Sequence, residues 1–208
     1  MIRVHHLRIG RSLYTVWLLE ELGIDYELKI YLRDPKTMRA QADMSEPHRL
    51  GKSPVIEDGE IKMVESGAIT SYLIDTYDSD DNLAPSISDR PARAEYTQWL
   101  HYPEGSAFLP LMQKLLLVRE PEPKPAVFAA FADTETKLHL DYLQDFLADK
   151  PFLLGDRLQG TDIGVTYIVE MAKRLGELDS YPKLDAYLQR MRARPGFKRA
   201  CKRAGEDR

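Results

Sequence analysis

Gly51-Lys52-Ser53-Pro54-Val55-Ile56-Glu57-Asp58-Gly59-Glu60-Ile61-Lys62-Met63-Val64-Glu65-Ser66-Gly67-Ala68-Ile69 is the stretch on which the fold turns. Two short apolar runs, 54–57 and 61–64, flank Asp58-Gly59. Asp-Gly supplies the positive φ angles of a tight turn, so the runs read as a hairpin. Ser66 then caps a predicted helix whose inner face is Ile69, Tyr72, Leu73 and Thr76. Upstream, residues 2–7 alternate Ile2 and Val4 against Arg3 and His5, which suits a strand. Gly10-Arg11-Ser12 breaks that pattern, and 13–22 is helical in composition, with Thr15, Leu18, Leu19 and Leu22 on one face and Gly23 as its stop. Residues 26–31 alternate again and make a second strand. Such a βαβ unit sets its two strands parallel. Residues 33–49 are polar and read as a short helix or a loop. The first 78 residues are therefore βαβ followed by ββα.

Downstream the pattern changes. Residues 78–91 are rich in Asp, Ser and Pro, which marks a linker. Beyond it everything reads as helix. Pro91 suits a first helical position ahead of Tyr96, Trp99 and Leu100. A loop with three prolines, 119–125, precedes a long helix over 126–147 with Phe128, Phe131, Leu138, Leu140, Leu143 and Phe146 as its expected core. Residues 161–175 and 182–192 make two more helices, and the charged end, 198–208, reads as a solvated tail. The expected division is 1–78, a linker over 79–90, and an all-helical domain over 91–208.

Composition narrows the function. The 208 residues are 43% hydrophobic and 30% charged, which fits a soluble globular chain. A formal charge of -4 gives no overall basic surface for nucleic acid. No apolar run approaches the roughly 20 residues of a membrane helix. The first residues lack a secretory signal. One cysteine, Cys201, leaves no internal disulfide framework and no cysteine-based metal cluster, so a cytoplasmic location is expected. His48, His101 and His139 show no paired ligand spacing, and no metal is implied. His5 and His6, on the first strand, read as structural histidines.

Several segments resemble the cytosolic glutathione S-transferase superfamily. Gly51-Lys52-Ser53-Pro54-Val55-Ile56 is similar to the family's Gly-Lys-x-Pro-x-Leu segment, and Val64-Glu65-Ser66-Gly67-Ala68-Ile69 to its Glu-Ser-x-Ala-Ile segment. Arg11-Ser12 with Trp17-Leu18-Leu19-Glu20-Glu21-Leu22-Gly23, and Trp99-Leu100-His101-Tyr102 with Glu104-Gly105-Ser106, resemble a bacterial and fungal subgroup. Leu154-Gly155-Asp156, Asp162-Ile163 and Tyr181-Pro182-Lys183-Leu184 resemble the family's late helices. The likeness spans nearly the whole chain. It implies a thioredoxin-like βαβββα domain followed by a helical bundle, an α/β plus all-α protein.

The resemblance also implies a ligand, glutathione, as co-substrate. Ser66 and the free amides of its helix would take the γ-glutamyl carboxylate, and Glu65 the ammonium; the plainer reading is a helix cap beside a solvated charge. The likeness implies a cis bond before Pro54, turning Val55 outward to pair with the cysteinyl unit like an added strand; a trans proline starting an edge strand is the alternative. Lys52 would meet the glycyl carboxylate. The subgroup places a serine just before its Arg-Ser pair to hold the thiolate, and here that position is Gly10. Three substitutes stand: the Ser12 hydroxyl, the amides of Arg11, Ser12 and Leu13, and the Arg11 charge. Ser12 and Arg11 are the catalytic candidates. The second substrate, a small hydrophobic electrophile, is expected between the domains, with Tyr102, Glu104, Phe108 and Met112 as candidate wall. Gln159 stands where the family has a Ser or Thr cap, and Thr161 is the candidate for a shifted helix start. The leading expectation is a homodimeric glutathione transferase with its Glu65-Ser66 region near the partner. Reduction of disulfides or peroxides at the same site, and a glutathione- or protein-binding module without catalysis, are the alternatives.

Overall fold

Alternation at Ile2 and Val4 does build a strand in the computed structural model, which describes residues 1–79 and 82–206. Of the expected linker, Asp80 and Asp81 lie outside the described residues, as do Asp207 and Arg208 of the charged end. The sheet has the order β2-β1-β3-β4. Strand β1 (Ile2–Leu7) runs parallel to β2 (Tyr26–Tyr31), and β3 (Val55–Asp58) runs antiparallel to β1 and to β4 (Ile61–Met63). The Asp58-Gly59 turn forms as the hairpin requires, with Gly59 at φ 58°. Asp58 accepts hydroxyl bonds from Tyr72 (2.8 Å) and Tyr77 and so ties the hairpin to α2 (Ser66–Tyr77). Residues 33–49 hold a single 3₁₀ turn, Ala42–Ser45, whose Met44 is buried.

In the first unit two helical faces differ from expectation. Helix α1 (Ser12–Leu22) is buried from Ser12 to Leu19 rather than along one stripe. The cause is the chain's end. Residues 195–204 form α8 (Pro195–Ala204), packed on α1, where a solvated tail was expected. Phe197, Ala200, Cys201 and Ala204 recur at helical spacing and are buried. The Phe197 ring meets Trp17 edge-on at 5.3 Å. Arg194 grips Glu21 through both guanidinium arms at 2.8 Å, and Arg199 holds Glu20 at 2.7 Å. Of the charges that suggested solvent, Arg199 and Arg203 are ion-pair partners of Glu20 on α1. On α2 the buried face is Ile69, Thr70, Leu73 and Ile74, and Thr76 is exposed, because the face is a quarter-turn from the one expected.

By its contacts the chain divides into Met1–Asp81 with Arg192–Arg208, and Asn82–Met191. The last helix thus groups with the first unit, not with the helical one. The second unit begins with α3 (Arg90–Tyr102), capped by Asp89, whose side chain accepts the Ala92 N–H at 3.2 Å. A π turn, Pro103–Ala107, leads into α4 (Phe108–Leu117), and α5 (Ala126–Leu147) follows the proline loop. Phe128, Phe131 and Leu138 are exposed rather than core; Ala132, Thr136, Leu140, Leu143 and Leu147 form the inner stripe of α5. Helix α6 (Gly160–Arg174) is buried over most of its length and starts at Gln159, with no shift to Thr161. Asp162 reaches back to the Gln159 N–H at 2.9 Å and also accepts from Leu153 N–H (2.9 Å) and Tyr187 hydroxyl (2.8 Å), so this buried carboxylate is satisfied three times over. Helix α7 (Pro182–Ala193) completes the order. Among the described residues no helix is long and apolar enough to cross a membrane.

Candidate functional site

Strand direction gathers the candidate residues of the first unit at one rim of the sheet. β1, β2 and β4 end there and β3 begins there: Leu7 lies opposite Tyr31, His5 opposite Val55, and Ile56 opposite Met63. Leu7, Tyr31, Met44 and Val55 form one buried cluster with Ala40 and Val64 packed against it. The segments after Leu7, before Val55 and after Val64 therefore share this rim.

The Ser53–Pro54 bond is cis. Ser53 Oγ donates to His5 O (2.8 Å) and accepts the Leu7 N–H (3.1 Å), which fastens this loop to β1. Pairing with β4 begins only at Ile56, so among the described residues Val55 has no strand partner on that side. Lys52 is exposed and has no ion-pair partner among the described residues.

Glu65, not Ser66, is the N-cap of α2; Ser66 is the first helical residue. Glu65 holds φ 73° and ψ 112°, a region that residues with a Cβ avoid. Its carbonyl takes the Ile69 N–H at 2.9 Å, and its side chain makes no cap bond. The amides of Ser66, Gly67 and Ala68 find no acceptor among the described residues. Half-buried Ser66 and exposed Glu65 thus stand at a helix end that carries partial positive charge.

The turn after β1 is less open than the sequence suggests. Ser12 is wholly buried, and its hydroxyl faces inward: it bonds His6 Nδ1 at 2.9 Å and accepts the Leu7 N–H at 3.2 Å. Arg11 caps α1 with its backbone and is half-buried. Among the described residues no acceptor takes the Ser12 N–H. A Cβ at Gly10 would meet Leu7 O at 2.7 Å, so the path of this turn leaves no room for a serine there. His6 was legible only as a strand residue; its pairing with Ser12, six positions on, is a strand–turn–helix contact that spacing alone does not announce. His5 is likewise structural, bonded to Tyr31 Oη at 2.8 Å, and burial pushes its imidazole below the ordinary histidine value.

In the second unit Tyr102, Glu104, Phe108 and Met112 follow one another across α3, the π turn and α4. Phe108 is buried, with its ring 5.3 Å from that of Tyr167. Tyr102 bonds His139 Nδ1 at 2.7 Å, and burial pushes its phenol up. Glu104 and Met112 are half-buried. No cluster of three metal-ligating side chains occurs among the described residues.

Known proteins share this frame. The family model for the glutathione S-transferase N-terminal domain matches residues 3–75, and that for the glutathione S-transferase C-terminal domain matches residues 111–202. Glutathione S-transferase 3 of Schizosaccharomyces pombe is 30% identical over 186 residues, covering 84% of this chain and 75% of its own. The glutathione S-transferase-like protein OpS6 of Beauveria bassiana is 34% identical over 194 residues, covering 88% and 85%. A solved glutathione S-transferase from Actinobacillus pleuropneumoniae superposes with a TM-score of 0.90 at 29% identity, over 99% of this chain and 94% of that one. Both domain models of one family match in order, and the fold persists along the whole length, so the chain belongs to the glutathione S-transferase family.

Proposed function

We propose that this chain binds glutathione at the sheet rim, holds its sulfur as the thiolate, and adds it to a small hydrophobic electrophile. One observation carries the reading: loop 51–54, the Glu65-Ser66 helix start and the turn after β1 converge on one edge of the sheet. Open amides and the Ser66 hydroxyl receive the γ-glutamyl carboxylate, and Glu65 takes the ammonium. The unpaired side of Val55 adds the cysteinyl unit as a short strand. Lys52 meets the glycyl carboxylate as a point charge. Metal is not required for this chemistry, and a cytosolic homodimer is part of the same reading.

The sulfur ends near the start of α1. A free thiol has a pKa near 8.5, so donors must lower it to ionise much of it at neutral pH. The Ser12 hydroxyl is already engaged with His6 and Leu7. The Ser12 amide is then the donor, with the positive charge of Arg11 beside it and the Ser12 side chain framing the turn. Tyr102, Glu104, Phe108 and Met112 form the proposed electrophile wall.

Gly10 supports a second reading, a glutathione-binding module without turnover, because no hydroxyl can be carried at that position. Calorimetry with glutathione followed by assay with an aryl halide separates the two. Heat and turnover support the transferase; heat without turnover supports the module; no heat removes both. In the same assay Ser66→Ala loses a bond to a charged group, about 1.5–3 kcal/mol or a tenfold or greater loss of affinity. Wild-type affinity in that variant would remove Ser66 from the site.

A further inference from the structure

The end of α8 reaches the turn that follows β1. Gly205 closes α8 at φ 64°, and its carbonyl accepts from Arg8 Nη2 at 2.8 Å. Glu206 N–H returns to Cys201 O at 3.0 Å. This reversal sends the Glu206 side chain inward, where it is 3% exposed. Its Oε1 accepts the Ile9 N–H at 2.7 Å and lies 2.9 Å from His6 Nε2. The histidine contact is a close approach and not a well-aligned hydrogen bond.

A second observation stands at the same place. Ile9 has φ 57°, a region costly for any residue with a Cβ and most of all for a β-branched one. Its side chain does not hold it there, since the residue is 51% exposed. Polar bonds hold it from both sides: Glu206 takes its N–H, and Arg33 Nη2 donates to its carbonyl at 3.0 Å. Strained backbone persists only where its surroundings over-determine it, and it gathers at functional sites.

We propose that Glu206 is a positioning residue: by clamping Ile9 it fixes the Gly10-Arg11-Ser12 backbone that faces the thiolate. The inference rests on the glutathione reading above. Among the described residues the charged groups around the turn are Arg8, Arg11, Arg33 and Glu206 itself, with the His6 imidazole beside them. They make the sign of the effect decisive. Removing a carboxylate's field alone leaves more positive charge and makes a nearby thiol more acidic. Losing the clamp lets the amide donor drift and makes the thiol less acidic.

The experiment compares wild type, Glu206→Ala and Glu206→Gln. Glutamine keeps an oxygen for the Ile9 N–H and loses the charge. The thiol pKa of bound glutathione is read from the thiolate's ultraviolet band against pH, and exchange of the Ile9 amide is followed by NMR. In Glu206→Ala the bound thiol pKa rises by about one unit, a tenfold change worth about 1.4 kcal/mol. The Ile9 amide exchanges about tenfold faster; Glu206→Gln restores the slow exchange and, with the clamp kept and the charge gone, brings the thiol pKa back to the wild-type value or below it. A fall or no change in thiol pKa with alanine, or an unchanged Ile9 exchange rate, overturns the proposal. If calorimetry shows no glutathione binding by the wild type, the glutathione reading falls and the thiol role with it, while the Ile9 exchange still decides whether the clamp exists.

Discussion

Two residues decide how the proposed site works, and both are set by backbone geometry. Gly10 occupies the place where the subgroup resembled carries a serine, and a Cβ there would sit 2.7 Å from Leu7 O. Backbone oxygen in a strand cannot swing aside as a flexible side chain can. Gly10→Ser is therefore expected to lower unfolding free energy by about 1–3 kcal/mol, the usual penalty of overpacking, without making bound glutathione more acidic. Urea unfolding reads the first effect and the thiolate band the second; an unchanged midpoint would mean that the turn has room. Glu65 presents the opposite case. At φ 73° and ψ 112° it stores strain at the helix end proposed for the γ-glutamyl group. Glu65→Gly relieves about 1 kcal/mol of that strain and also deletes the carboxylate. The expected result is a higher melting temperature together with weaker glutathione binding, and a variant that gains stability with full affinity would detach Glu65 from the ligand.

At the scale of elements, α8 carries the largest departure from the sequence reading. Its apolar spacing, Phe197, Ala200, Cys201 and Ala204, was present in the sequence, but the lysines and arginines between them dominated and suggested solvent. Glu20, the partner of Arg199 and Arg203, and Glu21, the partner of Arg194, lie more than 170 positions away, and no local pattern reveals such a pairing. The strands and the Asp58-Gly59 hairpin were legible because period-two alternation and turn chemistry are local. So was the order of the site segments, since strand direction brings them to one rim. The direction of the Ser12 hydroxyl was not legible: a helix start fixes where a residue sits and leaves its χ1 to tertiary packing. The docking of α8 has a pH signature. Burial alone would push the Glu21 carboxyl up, but bonds from Arg194 and Trp17 outweigh it and hold it below the ordinary value of 4.5. A carboxyl with a depressed folded pKa gives stability that is complete above 4.5 and is lost as pH falls through the lower folded value. Glu21→Ala should cost about 1.5–3 kcal/mol near neutral pH, because it removes two charged bonds from Arg194 and the acceptor of the Trp17 N–H, and it should flatten the loss of stability on acidification. Denaturant titrations at several pH values test this, and a variant as acid-sensitive as wild type would assign that loss elsewhere.

For the whole molecule, the question is what covers α5. This helix has two apolar stripes. Ala132, Thr136, Leu140, Leu143 and Leu147 are buried within their own unit, while Phe128, Phe131, Leu138 and Tyr142 recur at helical spacing and remain 43–56% exposed. Composition could not tell which stripe faces inward, and so the sequence placed the wrong phenylalanines in the core. Isolated apolar residues on a surface are ordinary; an aligned row with two phenylalanines marks an interaction face. A second copy of this chain is the occupant that fits the proposed homodimer, in which an interface of about 800 Å² per partner would be expected. Buried aromatic anchors at such interfaces each contribute about 2 kcal/mol or more, so losing two weakens association by roughly a thousandfold. Phe128→Asp with Phe131→Asp is therefore expected to sediment at the single-chain mass where wild type sediments at twice that mass. Ile87→Asp, at a position 83% exposed and outside any helix, should leave the dimer intact. If the double variant remains dimeric with unchanged affinity, copies of the chain meet through another face and the α5 row serves a different partner; if wild type is monomeric at high concentration, the homodimer itself is excluded.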